Sequence, residues 1–542
     1  MKKAILLLVV IITAQTTLVA APIQPLDFRM PAGMPDAAQI LSPADIQLDG
    51  WLGARVRANA ANRLMTVELE PLLAGYRHKP GSGPWVGEYI GKWLHAATLA
   101  WAYTGNPALR KRLDYAASEL IKAQEPDGYL GTYVPEQRFG LYEGADWDVS
   151  SHKYCLIGLL TYYQFTGNEP ALNACRKAAD LLLRTFGPGK KSILLAGRHV
   201  GMVATSVLEP MVLLYRCTGD ERYLDFARYI VQSWDEPDGP RIIQTLLTVK
   251  QVNKTANGKA YEMLSNLVGL CELARATGDR QLLVPVLNGW QDIVSKRLYL
   301  TGSTSRSEAF PDDYELPNQR SNKLCETCVT VTWIQLNLQL LRLTGDAKFA
   351  HQVETSLYNH LAAAQSPLGD DWCVYPPLEG VKYYDSHNNC CHSSGPRAMA
   401  FAPQTAYLKA KVNGADALLV STFETASVTT ELGGQAVTVA QQSEFPLKGE
   451  SWLKVKVGQA ARFAMHLRVP PWASPLSVKV NGRPFAVAQK QGWAEISARE
   501  WSNGDSVELR YNLGPKLVLG EHSNSGTAAM TWGPFVLAYD EK

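Results

Sequence analysis

The chain has 542 residues, too many for one compact core and enough for two or three domains. Its 53 Lys and Arg against 51 Asp and Glu leave a formal charge of +2 with no block of like charge. That excludes the clustered cationic surface that a nucleic acid or other polyanion requires. Hydrophobic residues at 46% and charged residues at 19% are the balance of an ordinary folded protein.

At the N-terminus, Lys2 and Lys3 precede the apolar run from Ala4 to Ile12, and Leu18-Val19-Ala20 offers small residues for cleavage. Residues 1–20 therefore read as a signal peptide cut near Ala20, which predicts a periplasmic or secreted mature chain. The run is too short to span a bilayer and no later window reaches that length, so no membrane partner is expected after cleavage.

A helical repeat follows. Thr-Gly recurs at Thr104-Gly105, Thr166-Gly167, Thr218-Gly219, Thr277-Gly278 and Thr344-Gly345, at spacings of 62, 52, 59 and 67 residues. Each pair closes an apolar helical pattern. The glycine suits the left-handed end of a helix, and the Asn or Asp after it suits the cap of the next. Five marked closures and one unmarked hairpin give about six helical hairpins, which predicts an (α/α)6 barrel over residues 21–400. An open solenoid is the alternative.

The chemistry-bearing residues concentrate between Ser307 and Arg397. Five of the nine Cys (Cys325, Cys328, Cys373, Cys390, Cys391) fall in one window of 67 residues, and an odd count with a vicinal pair fits a disulfide framework poorly. The run Val329–Leu343 reads as a buried helix, with Glu326 and Cys328 at its N-terminus, where the dipole favours anions. Glu326, Cys328, Cys390 and Cys391 supply one oxygen and three sulfurs, an acceptable tetrahedral set for Zn²⁺. Spacing alone leaves a catalytic and a structural metal equally open. Glu308 and Glu315, in a Pro- and Asp-bearing loop just before that helix, are candidate proton donors.

After residue 400 short alternating runs appear, such as Phe463–Val469 and Ser506–Tyr511, with hairpin signals at Asn481-Gly482 and Asn503-Gly504. Residues 401–542 are predicted to form one or more β-sandwich domains that carry no chemistry.

The ordered set Ser307-Glu308-Ala309-Phe310, Tyr314-Glu315-Leu316-Pro317-Asn318, Glu326-Thr327-Cys328, Pro377-Leu378-Glu379 and Cys390-Cys391 resembles the β-L-arabinofuranosidase family, glycoside hydrolase family 127 and its relatives. The resemblance runs from Trp85-Val86-Gly87-Glu88 through Asp127-Gly128-Tyr129-Leu130 to Arg468-Val469-Pro470. It implies an (α/α)6 barrel followed by β-sandwich domains, and a zinc-dependent retaining glycosidase acting on a complex, plant-type oligosaccharide or polysaccharide. Carried over by motif, Glu308 is the acid/base, and Glu326, Cys328, Cys390 and Cys391 hold the zinc. Cys390 is also the nucleophile. His152, Tyr375 and Glu315 are candidate substrate contacts, whereas Lys259 stands where the resemblance leads one to expect a histidine. The rival reading is a non-catalytic carbohydrate-binding protein with a structural zinc site; Glu308 discriminates, because a binding protein has no use for an isolated carboxyl opposite a thiolate.

Overall fold

The computed structural model describes residues 23–140, 147–318, 323–384 and 388–539; the predicted signal segment lies outside them. The first two thirds of the chain is helical. Among the described residues the helices that make up its inner and outer sets are α1 Trp51–Ala58, α2 Glu88–Thr104, α3 Pro107–Lys122, α4 Asp148–Thr166, α5 Glu169–Thr185, α6 Leu208–Thr218, α7 Glu221–Ser233, α8 Ala260–Thr277, α9 Leu283–Lys296, α10 Thr327–Thr344, α11 Ala347–Ser356 and α12 Cys390–Phe401.

Two sequence textures sort these helices into an inner and an outer set. Along α2 every residue from Glu88 to Tyr103 is buried, whereas α3 buries only Leu109, Leu113, Ala116, Ala117 and Leu120, the single stripe of an outer helix. The inner helices α2, α4, α6, α8, α10 and α12 pack each on the next, and α12 packs back on α2, closing a ring of six. Gly91 and Gly158 allow the closest approach, α2 on α4: a Cβ at Gly91 would lie 2.2 Å from the Tyr154 carbonyl oxygen. All five Thr-Gly closures end inner helices with the glycine left-handed, at φ between 64° and 79°. The next residue caps the following element through its side chain in each case (Asn106, Asn168, Asp220, Asp279, Asp346). The sixth pair is not a hairpin in sequence. It joins the two ends of the domain, α1 against α12.

The segment before α1 straps the ring. Backbone N–H groups of Leu26, Met30, Met34 and Ala38 donate to the carbonyls of Gln164, Arg216, Arg275 and Arg342, near the C-terminal ends of α4, α6, α8 and α10. Asp36 there pairs with Arg275 and Arg342, both at 2.8 Å.

From Tyr407 the chain is β. One sheet orders Gln39–Ile40, Tyr407–Val412, Ala415–Val420, Ala461–Arg468, Trp493–Trp501 and Ala488–Lys490. The other orders Arg483–Pro484, Leu476–Val480, Ser506–Tyr511, Glu450–Val457, Gln435–Ser443, Ala426–Leu432 and Ile46–Leu48. Strict alternation of buried and exposed residues in Glu450–Val457 turns one face inward, and Leu418, Met465, Val439 and Leu453 meet in a shared core. Residues 39–48, assigned by the repeat to the helical part, supply an edge strand to each sheet. A third, three-stranded sheet follows at Pro515–Val536.

The two parts are clamped by charge as well as apolar packing. Glu354 on α11 accepts from Arg468 Nη1 (3.1 Å) and Nη2 on Ala461–Arg468, and from Trp472 Nε1 at 2.8 Å.

Candidate active site

The predicted ligands converge at the N-terminal ends of two adjacent inner helices. Glu326 precedes α10, its N–H donating to Ser305 Oγ at 3.0 Å, and Cys328 lies in the first turn. Cys390 and Cys391 open α12, where the Asn389 side chain accepts from the N–H groups of Cys391 and His392. The ligand atoms of all four residues lie within 4.8 Å of one another, and three of the four residues are buried. Sγ–Sγ separations are 3.2 Å for Cys328–Cys391 and 3.8 Å for Cys390–Cys391, and Cys391 Sγ is 3.8 Å from Glu326 Oε1. All nine cysteines are free thiols.

Four acidic groups in so small a buried volume cannot all ionise without a cation. Burial, and then the charges at Cys390, Glu308 and Glu262, push the Glu326 carboxyl well above its usual range. Burial also raises the Cys328 and Cys391 thiols. Cys390 goes the other way: thiol hydrogen bonds from Cys328 and Cys391 outweigh burial, and the Lys92 ammonium adds to them. Cys390 is also the least buried of the four residues. Lys92 is itself wholly buried in α2, paired with Glu88 at 2.7 Å. The cluster is a set that could hold a metal ion.

Glu308 faces this cluster from the loop before α10, close enough that the charge at Cys390 acts on its carboxyl. Its backbone is left-handed at φ 67°, as is that of Ser307 at 46°, in an L-residue pair that pays strain for its position. The Glu308 carbonyl accepts from Ala260 N–H at 3.0 Å, which docks the loop on the start of α8. The carboxylate pairs through Oε2 with Lys259 Nζ and accepts through Oε1 from the Tyr375 hydroxyl. Burial raises its pKa, but Lys259 and Tyr375 outweigh that and hold it below the ordinary glutamate value.

Tyr375 thus belongs to the site. His152 does not contact it. The imidazole is wholly buried, Nε2 accepting from Leu130 N–H at 3.1 Å and Nδ1 lying 2.9 Å from the Asp148 carbonyl, so both nitrogens are taken by backbone. Glu315 stands at the surface in an ion pair with Arg306 at 3.3 Å, its side chain 55% exposed. Its loop is pinned by the C-terminal sheet region: Ser523 Oγ donates to the Tyr314 carbonyl at 2.6 Å and His522 stacks on Tyr314. Lys259, Lys92 and Glu262 are the site residues that sequence reasoning did not assign. Lys259 lies just before α8 and Glu262 in its first turn, the same position that marks Glu326 and Cys390, and Lys92 lies in the second turn of α2.

Residues 36–404 match the model of the β-L-arabinofuranosidase GH127 catalytic domain, and residues 417–513 the model of the GH127 middle domain. A non-reducing end β-L-arabinofuranosidase of Bifidobacterium longum subsp. longum is 27% identical over 513 residues, spanning 83% of this chain and 74% of that protein. Among solved structures, a GH127 β-arabinofuranosidase superposes with a TM-score of 0.79 at 23% identity, over 92% of this chain and 85% of that one. A GH127 β-L-arabinofuranosidase from Geobacillus stearothermophilus T6 gives 0.76 at 22% identity, over 91% and 86%. Among the described residues no helix is long and apolar enough to cross a membrane. With its catalytic-domain match covering more than half of its length, the chain belongs to the GH127 β-L-arabinofuranosidase family and is a glycoside hydrolase acting on a carbohydrate.

Proposed function

We propose that the protein is a zinc-dependent, retaining β-L-arabinofuranosidase-like hydrolase with Cys390 as nucleophile and Glu308 as acid/base, acting outside the cytoplasm on a complex, plant-type glycan. The architecture that fits the closed ring of inner helices and the two facing sheets is an (α/α)6 barrel backed by a β-sandwich.

The observation that carries the reading is the placement of one polarised thiol beside one mobile-proton carboxyl. Cys390 is the least buried sulfur of the cluster and the one whose pKa its neighbours lower, and Glu308 is the carboxyl facing it. The donor set fits zinc. A tetrahedral site with Zn–S bonds of about 2.3 Å has S–S edges of about 3.8 Å, and the sulfurs stand 3.2 and 3.8 Å apart. Glu326, Cys328, Cys390 and Cys391 would hold the ion, whose charge keeps the thiols deprotonated.

In the first half-reaction Cys390 Sγ attacks the anomeric carbon while Glu308 donates its proton to the departing glycosidic oxygen. The C–O bond breaks and a C–S bond forms. In the second, Glu308 takes a proton from water as its oxygen displaces the sulfur, returning the thiolate. Two displacements preserve the anomeric configuration. Tyr375 and Lys259 hold the two oxygens of the Glu308 carboxyl and fix its orientation. The location rests on the signal-like segment ending near Ala20.

The test is NMR of the first-formed sugar released from an aryl β-L-arabinofuranoside. The β-anomer supports the reading; initial release of the α-anomer removes Cys390 from the role of nucleophile.

A further inference from the structure

We propose that the exposed Trp85 indole, braced by Trp147 and through it by His199, is an aromatic platform for a second sugar ring, the leaving-group residue of the substrate, at the mouth of the site. The proposal rests on the glycosidase reading and adds to it a binding site on the acid/base side.

Of the fourteen Trp in the chain, only Trp85 and Trp452 are exposed; Trp85 is 45% exposed. Trp85 is nevertheless held firmly. Its indole hydrogen-bonds the Tyr89 hydroxyl, which lies near enough to Cys390 to feel its charge, and the turn before it is fixed by Tyr133 Oη donating to the Pro84 carbonyl at 2.5 Å. Trp147 meets Trp85 edge to face at 6.5 Å between centroids, and His199 meets Trp147 in the same manner at 6.3 Å. His199 Nδ1 lies 2.9 Å from Asn257 Nδ2, two residues before Lys259, which pairs with Glu308. The row thus runs from the side of the nucleophile to the side of the proton donor.

Two features mark the row as built for a ligand. His199 and Val200 both adopt left-handed backbone, at φ 57° and 58°, and such strain in non-glycine residues persists where function holds it. The His199 imidazole is also neutral: burial, then Lys259 and Arg198, bring its pKa down to about 4. The rings of the row stand edge to face, at 79° and 71°, so the exposed Trp85 indole supplies the flat face, which suits the C–H face of a sugar rather than an ion. The sugar is placed on the leaving-group side because His199 lies close enough to Lys259 and Glu308 for their charges to act on it, and Glu308 protonates the oxygen of the group that leaves.

The experiment compares a β-L-arabinofuranosyl disaccharide with methyl β-L-arabinofuranoside, which has no second ring, in the intact chain and in Trp85→Ala and Trp147→Phe. Trp85→Ala is expected to lower kcat/KM for the disaccharide about 10-fold or more beyond any loss on the methyl glycoside. Trp147→Phe, which keeps a ring, is expected to lose less. Equal losses on both substrates, or none on either, overturn the platform. The arabinofuranosidase reading fails separately, if the unaltered chain hydrolyses neither glycoside. The platform is then decided by quenching of tryptophan fluorescence with xylobiose, cellobiose and galactobiose. Quenching that Trp85→Ala abolishes supports it, and absence of quenching by all three overturns it.

Discussion

Replacing Glu354 by Gln perturbs the joint between the helical and β parts while keeping side-chain volume. The Glu354 carboxylate holds both Nη atoms of Arg468 and the Trp472 indole N–H, and the side chains are 7% and 2% exposed. Burial raises the Glu354 pKa, but Arg468 outweighs it, with His351 adding, and brings it from 4.5 to about 2. That depression corresponds to about 3 kcal/mol of stability at pH 7. Removing one member of a buried pair strands the other, which places the expected cost at about 3–5 kcal/mol. The folded-state pKa is the lower one, so this contribution is complete above pH 4.5 and disappears as pH falls through about 2. At pH 3 roughly 1.4 kcal/mol of it remains. Urea unfolding of parent and variant, followed by tryptophan fluorescence at pH 7 and pH 3, measures the difference. A deficit below about 1 kcal/mol at pH 7, or one that does not shrink at pH 3, refutes the clamp.

Glu308→Gln should leave the urea midpoint and metal content unchanged but slow hydrolysis of glycosides with poor leaving groups by about 10²–10⁴-fold, and activated aryl glycosides far less in the first step. Equal losses on both would give Glu308 a positional role. Lys259→Met removes the ammonium that holds the Glu308 pKa down, so the alkaline limb of kcat/KM, where the acid loses its proton, should move to higher pH. An unmoved limb would show that another group is the acid. Cys328→Ser should reduce bound zinc from about one per chain and lower the melting temperature, because ligation couples to folding. Full zinc content by elemental analysis would exclude Cys328 as a ligand.

The parts of this molecule that sequence reading reached are those with a local physical signature. A glycine that must be left-handed and an Asn or Asp that must cap are recognisable within four residues, and the five Thr-Gly closures lie where they were read. Glu326, Cys328, Cys390 and Cys391 were legible as a candidate metal set from an acid-x-thiol at a helix start and a vicinal thiol pair, and they do converge in space. What escaped depends on distant partners. The closure of α12 on α1, the strap from Leu26 to Ala38 and the edge strands at residues 39–48 leave no local pattern. His152 had the right residue type at a plausible place, yet a carbonyl and an N–H from its own surroundings consume it. Lys259 was visible as a departure from the family pattern, but its pairing with Glu308 needed the loop that folds Ala260 onto the Glu308 carbonyl.

The central claim is that the sugar becomes bonded to Cys390 Sγ. A cyclophellitol-type epoxide of β-L-arabinofuranose configuration, incubated with the zinc-loaded protein and followed by peptide mapping, tests it most directly. The account predicts one adduct per chain on Cys390, prevented by competing substrate, with hydrolysis abolished in Cys390→Ser. An adduct on a carboxylate, or undiminished turnover in Cys390→Ser, contradicts it.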